Sequence, residues 1–218
     1  MKRLSLYLFL IFFTFPTPSQ ADDIRDFQIE GMSIGDSLLD YFSKDEIKKF
    51  QSDKTKTTVK DFTFWRSNFR TKPGSIYENI RIYYKTNDPT YTMYMIQGGI
   101  ALPNEKNVCL NKIREVEKEI KTLFKNTVNK NPKDGEVRYT GKIGKKIKHS
   151  QDKSGKSFFR TLQFGFNFEK DKAKYSDNID RIDLKCYLWH KDFRNYHAFM
   201  VQIAKAEYFE WILNKAFK

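Results

Sequence analysis

The chain has 218 residues, 31% of them charged, and a formal net charge of +13. Its length is that of a single domain able to bury a substantial core, and no stretch after residue 21 is apolar enough to form a transmembrane helix. The positive charge suits an anionic lipid or polysaccharide partner, or simply solubility, and does not distinguish between them.

The N-terminus has the pattern of a secretory signal peptide. Lys2 and Arg3 precede an apolar run over residues 4–15, and Ser19-Gln20-Ala21 places small residues at a cleavage site. The apolar run is shorter than the ~20 residues that span a bilayer. We therefore expect cleavage after Ala21, a mature single domain over residues 22–218, and a periplasmic or secreted location.

Two short helices are predicted near the start of the mature domain. Ser33 and Asp36 have the Ser-x-x-acid spacing that is typical of a helix start, and Ser43 and Glu46 repeat it. A strand is predicted over residues 59–65, after a polar connection.

A β-hairpin and a long helix follow. Aromatic and β-branched runs over residues 76–86 and 91–102 flank Asn87-Asp88-Pro89, a trio that favours a turn. A helix is predicted over residues 108–126 by apolar residues at three-to-four spacing, which we expect to pack on a sheet. These residues are Leu110, Ile113, Val116, Ile120, Leu123 and Phe124.

Period-two alternation dominates the C-terminal half. It predicts strands over residues 158–168, 182–188 and 197–203, preceded by a weaker Lys-rich strand over 136–148 and followed by a helix over 206–217. Strands joined mainly by hairpins predict an α+β single domain, with a largely antiparallel sheet, one long helix packed on it, two short N-terminal helices and a C-terminal helix. The first of these strands places six alternate residues on one face: Phe158, Arg160, Leu162, Phe164, Phe166 and Phe168.

Cys109 and Cys186 are the two cysteines of the chain. One begins the long helix and the other lies on the apolar face of a strand, so packing of the helix on the sheet would bring them together in an oxidising compartment. The sequence therefore predicts a disulfide between them. Their spacing is not that of a redox motif.

Gly35-Asp36-Ser37-Leu38 spells the opening block of the GDSL esterases and lipases, in which the serine is the nucleophile. That family takes its base from an Asp-x-x-His sequence, and no acidic residue stands three positions before any histidine of this chain. Ser37 also follows no buried strand, and the capping pattern explains why serine and aspartate occur in this stretch. An ester hydrolase that uses Ser37 is thus the alternative to a binding role, and no catalytic residue is assigned.

Residues 150–157 lie one residue from a phosphate-binding P-loop, but the first glycine and the following helix are missing. We expect a polar hairpin tip there. Around it runs a group of lysines that suits an anionic surface, although such runs are usually solvated. Its members are Lys142, Lys145, Lys146, Lys148, Lys153 and Lys156.

His190, Asp192 and His197 could converge at a turn, but they lack a recognised ligand spacing. No metal and no cofactor is therefore predicted. Nucleic acid is not an expected partner, because the aromatic residues lie at core spacing rather than interleaved with the lysines.

Residues 24–39, which begin Ile-Arg-Asp-Phe and end Asp-Ser-Leu-Leu, resemble a family of exported proteins from marine alphaproteobacteria of the SAR11 type. The similarity continues through the hairpin, the Cys109 helix and the Cys186 strand. It implies export and no particular activity. The leading hypothesis is a non-enzymatic periplasmic binding or envelope-accessory module, with an anionic envelope component or a periplasmic protein as its partner.

Overall fold

The computed structural model describes residues 23–51, 60–71, 73–105, 107–124, 128–129, 137–139, 143–166 and 179–217, with the backbone alone for 128–129 and 137–139; the predicted signal peptide lies outside them. The strands within these residues are β1 (Phe64–Arg70), β2 (Asn79–Lys85), β3 (Met93–Pro103), β4 (Val128–Asn129), β5 (Val137–Tyr139), β6 (Ile147–Lys148), β7 (Phe158–Gly165), β8 (Arg181–Leu188) and β9 (Tyr196–Ala204). The α-helices are α1 (Lys44–Lys49), α2 (Val108–Leu123) and α3 (Ala206–Asn214). None of these helices combines the length and the apolar character that crossing a membrane requires.

All the strands belong to one sheet. Its order is β1-β2-β3-β9-β8-β7-β5-β4, and β6 pairs with β7. The described pairs are antiparallel except that of β4 with β5. The predicted hairpin is confirmed, because β2 and β3 pair with Asn79 opposite Gly99. The architecture is the largely antiparallel α+β fold that the alternation predicts.

One face of the sheet, which we call the first face, is apolar and carries α2. Ile113, Val116 and Ile120 of that helix are buried against it. Because side chains alternate along a strand, the sheet residues beneath the helix are every second residue of β7, β8 and β9. They are Leu162, Phe164, Ile182, Leu184, Phe199, Val201 and Ile203.

The opposite face, the second face, is covered at one end by α3. Tyr208 and Trp211 of this helix pack on the side chains where β1 and β3 begin and β2 and β9 end. No described helix packs on the other end of the second face, toward the start of β2 and β9. The residues that α3 covers are Phe64, Tyr83, Met95 and Ala204.

Cys109 and Cys186 form a disulfide, as the sequence predicts. Their Cα atoms are 5.7 Å apart, within the range that a disulfide spans, and both side chains are fully buried. The bond joins the first turn of α2 to the first face of β8, so it fixes the end of the helix that lies nearest the open part of the second face.

The first predicted helix start is wrong by several residues. The backbone N–H of Ser33 does donate to the Asp36 carboxylate (2.9 Å), but no helix follows, because Gly35 lies in the left-handed region with φ +94°. A 3-10 helix, Leu38–Asp40, begins only after Ser37, which caps it. One of the two hydrogen bonds of a capping box is therefore present, but no helix begins there.

Other boundaries shift for related reasons. The Ser43 to Glu46 capping box is confirmed at the start of α1. The strand predicted over residues 59–65 is instead β1, which begins at Phe64 and continues through polar residues as far as Arg70. The strand was difficult to recognise from the sequence because most of its residues on the second face are polar. The predicted Lys-rich strand consists of β5 and β6, with residues 140–142 outside the described part of the chain.

Candidate functional site

A row of polar side chains crosses the second face of the sheet. Cross-strand register places one polar residue from each of six neighbouring strands side by side. If an apolar helix covered this row, its polar groups would be buried without hydrogen-bond partners. The row therefore belongs to a face that suits polar contacts. Its members, in strand order, are Asn68, Arg81, Gln97, Gln202, Asp183 and Gln163.

Hydrogen bonds hold the row in place. Arg81 donates from Nε to Asn68 Oδ1 and from Nη1 to Gln97 Oε1, each at 3.2 Å. At the other end Gln163 donates to Asp183 (3.0 Å), and the ammonium of Lys185 lies 3.3 Å from the same carboxylate. Asp183 is fully buried, and a buried carboxylate is costly unless such neighbours hydrogen-bond to it or pair with it.

Next to this row the second face opens into a trough of about 750 Å³, a volume typical of ligand sites. Three small residues of the two central strands contribute to its floor, Gly99 and Ala101 on β3 and Ala198 on β9, and Met200 lies opposite Gly99. Longer side chains on either side form two walls. One wall contains Glu78, Asn79 and Arg81, and the other contains His149, Tyr187, Trp189, Arg194 and Tyr196.

The second wall is a stack of rings held by a cation. Tyr187 and Trp189 are nearly parallel, with ring centroids 5.6 Å apart, and His149 meets Trp189 edge-on at 4.3 Å. The guanidinium of Arg194 lies 4.7 Å from the Trp189 ring centroid and donates to the hydroxyl of Tyr196 (2.6 Å). The Trp189 indole N–H is buried and has no hydrogen-bond partner among the described residues.

The trough is positively charged in balance. Of the described residues that line it, Arg81 and Arg194 are cationic and Glu78 alone is acidic. Burial lowers the pKa of His149, and the positive charge of Arg194 lowers it further, so this imidazole is neutral near pH 7. Burial likewise raises the pKa of Tyr187, which keeps its hydroxyl protonated as a donor. The site therefore offers two cations, neutral donors and ring faces.

The predicted lysine run divides into separate places. Lys142 lies outside the described residues. Lys145, Lys148 and Lys153 are exposed and line neither the trough nor any other described pocket. Lys146 and Lys156 both line a smaller pocket of about 350 Å³ beside the start of α2, which we call the helix-start pocket. Binding of the whole run to an anionic surface stays a prediction.

Ser37 has the contacts of a capping residue. Its hydroxyl donates to the backbone carbonyl of Thr90 (2.6 Å) and accepts from the N–H of Leu39. Among the described residues no histidine bonds to it, so the arrangement of a nucleophile with its base is not formed there.

The hairpin tip resembles a P-loop in sequence but not in structure. Asp152 accepts hydrogen bonds from the N–H and the hydroxyl of Ser154 and from the N–H of Ser157, which closes the turn between β6 and β7. These amides bond to a carboxylate of the chain itself and are not free to hold a phosphate. The prediction of a polar hairpin tip is therefore confirmed.

His190 and His197 both line the helix-start pocket, but Asp192 does not. Nδ1 of His190 lies 3.3 Å from Asp192, and His197 is buried on the first face of β9. Among the described residues no group of three potential ligands is placed to hold a metal ion.

The trough is the feature that the sequence analysis missed. The available signal was the alternation of Asn79 and Arg81 with Ile80 and Ile82 along β2. A strand whose second face meets solvent has this pattern. No family model, no curated protein and no solved structure matches the chain.

Proposed function

We propose that this chain is an exported, non-enzymatic binding module of the cell envelope and that its trough binds an anionic saccharide. Export is supported by the signal-peptide pattern before residue 22 and by a buried disulfide, a bond that persists in oxidising compartments. The observation that carries the binding proposal is the pair of arginines held in fixed positions over a floor that includes small residues.

The lining chemistry favours a sugar. Amide and hydroxyl groups such as those of Asn79, Gln151 and Tyr196 can both donate to and accept from ring hydroxyls. The partly exposed ring of Tyr187 offers an apolar face on which the C–H side of a sugar can pack. A carboxylate or sulfate on that sugar would pair with Arg81 or Arg194.

Preorganisation supports binding rather than turnover. Arg81 is fixed by two amide oxygens, and Arg194 by a ring and a hydroxyl. Donors that are already fixed lose little side-chain entropy when a ligand binds. Among the described residues that line the trough, Glu78 is the one carboxylate, whereas glycoside hydrolysis uses a pair, and none is a serine or a cysteine. Ser37 is engaged as a helix cap.

The experiment is calorimetric titration with tetragalacturonate and with the neutral tetrasaccharide maltotetraose. We expect tetragalacturonate to bind more tightly, and Arg194→Gln to weaken it about tenfold, the effect of one charge-assisted hydrogen bond. Lys118→Gln is the matched control, because Lys118 is an exposed cation on α2, across the sheet from the trough. It should leave tetragalacturonate binding within about twofold, as for an exposed charge.

Asn79→Ala tests the opposite wall with a neutral change, and it should weaken both tetrasaccharides. Equal effects of Arg194→Gln and Lys118→Gln would mean that net charge alone attracts the polyanion, and the proposal would fail. Turnover of a short-chain ester that Ser37→Ala abolishes would establish the hydrolase alternative instead.

A further inference from the structure

Arg160 occupies a position where the fold calls for an apolar residue. It lies on the first face of β7, opposite Cys186 on β8 and two residues before the buried Leu162. Its guanidinium is held by two backbone carbonyls, since Nε donates to Gly144 (2.9 Å) and Nη2 to Ile143 (3.1 Å). A cation is therefore fixed at the rim of the apolar core.

This arginine lines the helix-start pocket, together with two further cations and an apolar wall. The ammonium groups of Lys146 and Lys156 come from the two sides of the β6–β7 hairpin, and Lys146 Nζ lies 4.3 Å from the Phe158 ring centroid. Acidic residues are absent from the described part of the pocket lining. The apolar wall consists of Leu110, Phe158, Leu188 and Trp189.

The N-terminus of α2 opens at the same pocket. Asn107, the residue before this 16-residue helix, lines the pocket, and its side chain makes no capping hydrogen bond. The first amides of a helix have no partner within the helix, and they carry its positive dipole end. An anion in the pocket would meet these amides as well as the three cations.

His197 adds a nearly buried imidazole to the lining of the pocket. It is only 8% exposed, and its Nδ1 is enclosed by protein atoms with no hydrogen-bond partner among the described residues. A ligand in the pocket therefore meets another part of the ring, and its binding can be followed through the resonances of this imidazole.

We propose that the helix-start pocket is a second binding site, for a small amphipathic anion: a carboxylate or phosphate oxyanion attached to a short apolar body. The oxyanion contacts Lys146, Lys156 and the start of α2, with the Arg160 guanidinium beside it. The apolar body packs on Leu110, Phe158 and Leu188. Apart from Trp189, which lies just after β8 and lines both sites, this pocket and the trough have different lining residues. The proposal does not depend on the function proposed for the trough.

The test uses the mature protein and four probes: octanoate, octyl phosphate, neutral octanamide and inorganic phosphate. Backbone NMR shifts locate binding, and calorimetry measures it. We expect octanoate or octyl phosphate to shift the amides of residues 108–110 and the ring of His197, and to bind more tightly than either octanamide or inorganic phosphate. Whichever octyl anion binds more tightly identifies the oxyanion.

The chain provides a matched control within one hairpin. The double variant Lys146→Gln/Lys156→Gln removes the two lining lysines, and Lys145→Gln/Lys153→Gln removes two exposed lysines that do not line the pocket. All four are surface positions, so both variants should fold. We expect the first to weaken the octyl anion at least about tenfold, and the second to change it less than about twofold.

Equal weakening by the two double variants, tighter binding of octanamide than of both octyl anions, or shifts confined to residues away from the start of α2 would each overturn the proposal. Absence of binding by both octyl anions would overturn it as well. Tetragalacturonate binding should be the same in the two double variants, so failure of this site and failure of the trough are distinguishable.

Discussion

Reduction of the Cys109–Cys186 disulfide should destabilise the protein strongly. The bond closes a loop across a sequence separation of 77 residues. In the chain-entropy model, a loop of this size restricts the unfolded chain enough to contribute about 4 kcal/mol to the free energy of unfolding. For a domain of this size, such a loss lowers the melting temperature by roughly 10 °C.

The assay is guanidinium unfolding of the mature protein with and without a thiol reductant. Free energies of unfolding should be compared rather than midpoints, because a reduced unfolded chain exposes more surface and steepens the denaturant dependence. The double variant Cys109→Ala/Cys186→Ala is the control, and its stability should not respond to the reductant. Two reactive thiols before reduction would contradict the bond itself. A free energy unchanged after complete reduction would contradict the loop argument.

Three further changes test local features. Gly98→Ala would place a Cβ 2.7 Å from ring carbons of Tyr77, so we expect a loss of about 1–3 kcal/mol in chemical denaturation. Ser43→Ala removes the capping box with Glu46 at α1 and should cost about 1 kcal/mol in the same assay. Asp88 is partly desolvated, but hydrogen bonds from its own turn lower its pKa to about 2 from 3.8. Its contribution to stability should therefore be present above pH 3.8 and be lost as the pH falls toward 2, and Asp88→Asn should remove that acid-dependent loss.

The apolar face of the sheet was predictable from the sequence because it has a local signal. Every second residue from Phe158 to Phe164, apart from Arg160, is apolar, and the three-to-four spacing in α2 is equally regular. Burial of one face requires apolar residues at regular spacing along a strand or a helix. For this reason the hairpin, the long helix and the disulfide could all be predicted. Strand order was not predictable, because nothing local indicates that β9 lies between β3 and β8.

The trough depends on strand order, and for that reason the sequence did not reveal it. Arg81 and Tyr187 are far apart in the chain, and both line the trough only because β3 and β9 pair between β2 and β8. The floor has the same origin, since Gly99 and Ala198 contribute to it together only because their strands pair. Polarity at alternate strand positions indicates an open face, but it does not indicate which polar residues share a site.

Charge illustrates the same dependence on placement. A lysine in bulk solvent interacts weakly with an anion because water and salt screen it, whereas a cation at the rim of an apolar pocket is screened much less. The net charge of the chain therefore says little about binding, and the exposed Lys145 and Lys153 add only to that total. Arg160 is different, because its place in the strand puts it among core residues, where a charged group needs polar partners. The backbone carbonyls of residues 143 and 144 accept its hydrogen bonds, and the guanidinium they hold lines the helix-start pocket.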